Sequence, residues 1–191
     1  MSPDVDTATA REAELRIAAG ITGIRDIYLL GYMDGVLEKT DAGEVANRVM
    51  KIMHKVQPEI VITFRPDGIS GHPDHKVISR ATTVAFEMLA KSGSGPRKLY
   101  YVTIPASMLA EIGNEDLDGI SARPDDEVTT TININGHLDT KMRALEAHSS
   151  QQDARWLAGM FRQAGEANWV STEFLYLATP EGPRNETDIF E

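Results

Sequence analysis

Apolar residues along the middle of the chain switch between a helical and an extended period. Val45, Val49, Ile52, Met53 and Val56 are spaced 4, 3, 1 and 3 apart, which places them on one helical face. Asp41 and Glu44 suit the start of that helix, and Pro58 stops it. Glu59 to Phe64 (EIVITF) is rich in β-branched residues and reads as a buried parallel strand. A polar loop follows from Arg65 to His75, then a helix to about Leu89 with Ile78, Ala81, Ala85, Met88 and Leu89 inward. Leu99 to Ile104 (LYYVTI) is the next predicted strand. Before this block, Thr9-Ala10-Arg11-Glu12 reads as a capping box, so a helix is expected to follow and end near Gly20 to Gly23. Ile27 to Leu30, ahead of Gly31, reads as a short buried strand.

The later pattern is less regular. It predicts a short helix over Met108 to Ile112, an edge strand over Val128 to Ile134 and helical pieces over Asp139 to Ala147 and Ala154 to Gln163. A last strand is expected over Phe174 to Leu177, and a loose acidic tail from Glu181. Ser92 to Pro96 reads as a linker, because no strand leads into it as a phosphate-binding glycine loop would require. There is no internal repeat. The expectation is one domain over residues 1–191, of the α/β class, with a Rossmann-like three-layer fold and a mainly parallel sheet.

Composition narrows the function. The formal net charge is −10, against the clustered basic charge that nucleic acid needs. There is no cysteine, so a transition metal must be held by His and carboxylates. No apolar run approaches the roughly 20 residues of a membrane span. The opening MSPDVDTATARE is polar and acidic, unlike a signal peptide, so the expected compartment is the cytoplasm.

Chemistry concentrates after EIVITF. Open α/β sheets bind ligands beyond the carboxyl ends of their strands. The loop there holds Asp67, His72, Asp74 and His75 within nine residues. His72 and His75 are three apart at a helix start, so both can face one side, and imidazole is the commonest metal ligand. The plain alternative is a polar helix cap with solvated histidines.

Gly71-His72-Pro73-Asp74-His75 resembles the second motif of the LmbE-like, PIG-L-type deacetylases. Three further segments resemble that family in the same order: Arg11-x-x-Glu14-Leu15 with Ala18-Ala19, then Leu30-Gly31-Tyr32-Met33-Asp34-Gly35, then Lys141-x-x-Ala144-Leu145-x-x-His148-x-Ser150-Gln151. The resemblance implies a Zn2+-dependent hydrolase that removes an N-acyl group from an amino sugar, glycoconjugate or related amide. It implies His75 as a zinc ligand, His72 as the group that polarises or protonates the tetrahedral oxyanion, and Asp74 as its orienter. Arg11 and Asp34 would contact substrate hydroxyls.

The family's first motif, an A-H-P-D-D-E stretch, has no counterpart ahead of Arg11. The N-terminal strands of the sheet are accordingly expected to be absent. That would leave inner edges unpaired on EIVITF and IYLL, with self-association into a homo-oligomer or a rearranged sheet as the result. Ala122-Arg123-Pro124-Asp125-Asp126-Glu127 is a near match, but Arg cannot coordinate zinc, so a surface turn is expected there. His54 and His137 are expected to be solvated. His148 reads equally as an outer support of the site or as a helix-terminal residue. Trp156, Trp169 and Tyr176 are expected in the core or an interface rather than as a sugar-stacking platform. Three functional readings stand: a metal-dependent deacetylase, a non-catalytic binding or assembly protein on the same fold, and another metal hydrolase such as a phosphoesterase.

Overall fold

A computed structural model describes residues 3–93, 95–113, 117, 119–180 and 185–190. The described residues form six α-helices: α1 (Pro3–Thr22), α2 (Ala42–Val56), α3 (Pro73–Lys91), α4 (Ala106–Ile112), α5 (Leu138–Glu146) and α6 (Gln152–Ala164). Four strands, β1 (Ile60–Thr63), β2 (Lys98–Val102), β3 (Thr130–Asn133) and β4 (Thr172–Thr179), form one sheet in the order β1-β2-β4-β3. The chain divides into two compact units: Met1–Leu29 with Asn133–Thr172, and Leu30–Ile132 with Glu173–Glu191.

The larger unit carries the sheet. Its α/β class is as the sequence pattern predicts, but the sheet is mixed. β1 pairs with β2 in parallel, whereas β2 pairs with β4 antiparallel. Val61 and Leu99 face α2 and α3, where Met53, Ala85, Phe86 and Leu89 complete a buried cluster. Alternation sends Ile60 and Tyr100 to the opposite face, against Leu175, Leu177 and Ile189. Asp41 caps α2 by accepting from the Glu44 N–H at 2.8 Å. The helix ends on Gln57 in the left-handed conformation, one residue before the proline.

The smaller unit packs α1 against α5 and α5 against α6. Its key is Glu14, buried on α1. Its carboxylate accepts from the Ser149 hydroxyl (3.0 Å), the Ser150 N–H (2.6 Å) and the Ser150 hydroxyl (2.8 Å). Burial works against the charge, but the two serines and His148 outweigh it and hold the carboxyl below the ordinary glutamate value. The early R-x-x-E segment and the late H-x-S-Q segment are therefore partners within this unit.

Several expectations are corrected. Thr9 to Glu12 lies inside α1, which starts at Pro3; proline suits the first helical turn, and nothing between it and Thr9 breaks the helix. Ile27 to Leu30 is not a strand. Tyr28 and Leu29 are exposed, and no described strand pairs with this run, so its backbone has no ladder to join. β1 is an edge, and Ile62 on it is 47% exposed. The tail is held where it is described. Glu186 accepts from Lys98 Nζ (3.0 Å), the Tyr100 hydroxyl (2.7 Å) and the Thr130 hydroxyl (2.8 Å). Residues 181–184 of that tail, and Ser94 of the Ser92 to Pro96 linker, lie outside the described residues.

Candidate active site

The loop from Arg65 to His75 leaves the carboxyl end of β1 and turns into α3. The Ser79 hydroxyl on α3 donates to the Phe64 carbonyl at 2.7 Å, which ties the helix back to the strand end. Gly68 and Gly71 both adopt positive φ, and so does Ile69 at 65°, an uncommon state for a β-branched residue. Gly68 is tightly enclosed: a Cβ there would lie 3.0 Å from His75 Cβ and 3.2 Å from the His72 carbonyl oxygen.

The two loop histidines are held in opposite ways. His75 Nδ1 lies 3.2 Å from the Gly68 carbonyl oxygen, which can only accept, so Nδ1 carries the proton and Nε2 keeps its lone pair. His72 caps α3: its Nδ1 accepts from the Asp74 backbone N–H at 3.2 Å, so the proton of the neutral ring sits on Nε2. The rings are neighbours, with centroids 4.9 Å apart, and His75 also stacks on Phe64 at 4.0 Å and 8°. One ring thus offers a free lone pair and the other a free N–H.

Asp74 reaches His72 through its backbone. Its carboxylate accepts from the Gly35 N–H (2.7 Å) and the Leu37 N–H (3.1 Å) instead. These bonds fasten the Asp34-Gly35 turn to the start of α3. The exposed Asp34 is thereby placed one residue from a direct contact of the HPDH motif. Tyr32 donates to Glu44 at 2.9 Å, and Arg48 lies over the Tyr32 ring and donates to the Leu30 carbonyl, so the same segment is also fixed to α2.

Nothing in the spacing pointed to Arg65, which proves to be the hub of the loop. It is 4% exposed. Its guanidinium reaches both carboxylate oxygens of Asp67, the Thr103 hydroxyl and the Ser121 carbonyl. Burial would raise the Asp67 carboxyl, but the bonds from Arg65 and the Ile69 N–H hold it below the ordinary aspartate range. The available signal was an arginine directly after a buried strand with an aspartate two residues on. A cavity of about 270 Å³ opens beside this hub, lined by Arg65, Asp67, Tyr101, Thr103, Arg123 and Tyr176.

Arg11 and His148 lie in the smaller unit. Arg11 is exposed on α1, and His148 Nδ1 lies 3.1 Å from Gln151 Nε2. Arg123 to Glu127 is the surface turn expected, with Asp125 to Glu127 in a 3-10 turn and Asp125 accepting from the Ser107 N–H. His54 and His137 are exposed, Trp169 is buried and Tyr176 is 37% exposed.

A catalytic zinc takes three protein ligands. His75 Nε2 fits as one donor, but no group of three His, Cys, Asp or Glu side chains comes together among the described residues. The described residues alone do not complete a zinc site.

Residues 2–86, which include the whole HPDH loop, match the PIG-L family, described as GlcNAc-PI de-N-acetylase. Over this stretch the chain is similar to the PIG-L family, in agreement with the resemblance carried by its HPDH loop. Among similar PIG-L-type relatives is the probable N-acetyl-alpha-D-glucosaminyl L-malate deacetylase 2 of Bacillus anthracis, 32% identical over 74% of this chain and 55% of the relative. Two others are 1D-myo-inositol 2-acetamido-2-deoxy-alpha-D-glucopyranoside deacetylases. The one from Salinispora arenicola is 29% identical over 76% of this chain and 52% of the relative; that from Acidothermus cellulolyticus is 29% identical over 94% and 73%. This chain therefore spans little more than half of two of these relatives. The fold is also similar to the crystal structure of GalB, the 4-carboxy-2-hydroxymuconate hydratase from Pseudomonas putida KT2440. Its TM-score is 0.56 at 20% identity, over 95% of this chain and 76% of that one.

Proposed function

We propose that the chain carries the HPDH part of the centre of an N-deacetylase that acts on an N-acylated amino sugar or a related glycoconjugate. One observation carries the reading: the His75 and His72 rings are neighbours whose Nδ1 atoms face opposite partners, a carbonyl oxygen on one and a backbone N–H on the other, which implies a lone pair at Nε2 of His75 and an N–H at Nε2 of His72. A hydrolase of a neutral amide uses a hydrogen-bond donor aimed at the carbonyl oxygen, where negative charge develops. His72 Nε2–H is that donor. The reaction breaks the amide C–N bond, water supplies the new oxygen, and the products are a free amine and a carboxylate. Asp34 and Arg11 are proposed to bind substrate hydroxyls, and Asp74 supports both His72 and the Asp34 turn. Zn2+ is the proposed cofactor, with His75 Nε2 as one donor and the remaining ligands outside the set described above. The proposed setting is the cytoplasm, with a small-molecule substrate and without nucleic acid.

The incomplete donor set favours one further reading: a binding or assembly protein that keeps the fold without turnover. Amine release from N-acetylglucosamine conjugates, measured with Zn2+ present and against His72→Ala, separates the two. Turnover lost in His72→Ala supports the deacetylase. Stoichiometric zinc without any amine release, across inositol and malate conjugates, overturns it in favour of the binding protein.

A further inference from the structure

We propose that Arg65 is a positioning residue that sets the tautomer of His75, acting through the Gly68 carbonyl. The use of that tautomer rests on the reading above, but the tautomer itself is measurable without metal or substrate. His75 has two supports. Stacking on Phe64 fixes the plane of the ring but not which nitrogen holds the proton. The proton position depends on the Gly68 carbonyl oxygen being 3.2 Å from Nδ1.

That carbonyl accepts from the Ser70 N–H at 2.8 Å, a local bond, and the residues on either side of it are gripped in turn. The Gly68 N–H donates to the Arg65 carbonyl at 2.8 Å. On one flank, Asp67 is held by Arg65 Nε (3.2 Å) and Nη2 (2.9 Å), a bidentate pair. On the other, the Ile69 N–H donates to Asp67 Oδ1 (3.0 Å), and the Ile69 carbonyl accepts from the Ser121 N–H (2.7 Å). The Ser121 carbonyl returns to Arg65 Nη2 at 2.6 Å, and Nη1 anchors the whole to Thr103 at 2.9 Å. Ile69 at φ 65° is strained, and a strained residue persists only where its surroundings over-determine it. Among the described residues, Arg65 is the one side chain that joins Asp67, Ser121 and Thr103.

Neutral imidazole in water prefers its proton on Nε2. Release of the Gly68 carbonyl is therefore expected to move His75 to Nε2–H and so remove the lone pair from the open side. His72 is an internal control. Its Nδ1 is held by the Asp74 N–H in the first turn of α3, which Arg65 does not touch.

The test is long-range proton–nitrogen NMR of the full chain at about pH 8, where imidazoles are neutral. Wild type is expected to show His75 as Nδ1–H and His72 as Nε2–H. In Arg65→Met the larger part of His75 is expected as Nε2–H with His72 unchanged; Arg65→Lys, which can reach fewer partners, is expected in between. Thr103→Val removes a single contact of the hub and gives a smaller shift of the same sign, which decides the matter should Arg65→Met not fold. An unchanged His75 in folded Arg65→Met, or in Thr103→Val where only that variant folds, overturns the proposal. A change of both rings together also overturns it, because it would mean general loosening of the loop. Absence of deacetylase activity would leave these outcomes untouched.

Discussion

Two polar clusters of the larger unit are built from similar parts and end differently. Around Glu186, a carboxylate meets Lys98, Tyr100 and Thr130, and the group closes on itself against the sheet. Around Arg65, a guanidinium meets Asp67, Thr103 and Ser121. Beside that second cluster, on the same loop, two ring nitrogens, His72 Nε2 and His75 Nε2, have no hydrogen-bond partner among the described residues. The difference teaches what separates a structural cluster from a candidate site. A closed polar cluster serves the fold, whereas one that fixes its members and leaves chosen atoms open can serve chemistry.

The contrast can be broken most strongly at the open cluster. In a form of the protein that binds zinc and turns over, His72→Ala is expected to lower amine release by ~10²–10⁴-fold, the usual worth of a proton donor, while zinc uptake is kept. His75→Ala is expected to lower zinc content instead, checked by metal analysis after dialysis. Equal zinc loss in both would show that the two rings share one role.

At the closed cluster the expected damage is to stability. Glu186→Ala leaves Lys98 unpaired, with side-chain exposures of 17% and 9% for the lysine and glutamate in the intact pair. Breaking such a pair costs about 3 kcal/mol, read by urea denaturation. Unchanged stability would mean that the tail does not clip the sheet.

Gly68→Ala sits between the two. A side chain at φ +75° costs about 1–2 kcal/mol, and its Cβ would press on His75. A modest stability loss with an altered His75 tautomer is expected; the same stability loss with His75 unmoved would separate the loop's strain from its chemistry.

The smallest effect is on acid stability. Glu186 is pressed upward by burial, yet its bonds to Tyr100, Thr130 and Lys98 leave its carboxyl below the ordinary value, and Glu14 is lowered likewise. A group lowered in the folded state stabilises the fold above its unfolded pKa, roughly 4.3 for glutamate, and loses that contribution as pH falls through the folded pKa. Thermal melting is expected to be flat near neutrality and to fall below about pH 4. Glu14→Gln is expected to make that fall shallower; an identical acid limb would remove Glu14 from the account.

The sequence alone determined the elements whose signal is local. The apolar face from Val45 to Val56 and the β-branched run EIVITF became α2 and β1, because periodicity and propensity act within a few residues. It also picked out the candidate site, since a dense His and Asp loop after a β-branched run is visible in one dimension. Tertiary structure decided the rest. Ile27 to Leu30 is as apolar as a strand, but a strand exists only with a partner, and no described strand supplies one. Glu186, in a stretch that reads as loose tail, is tied to Lys98, Tyr100 and Thr130 far away in the chain. Arg65 and Gly68 gained their roles in the same way. The nitrogen of His75 that holds the proton is proposed to depend on where the Gly68 carbonyl oxygen stands, and the loop around that oxygen is braced through Arg65 by Thr103 and Ser121, contacts that no local pattern encodes.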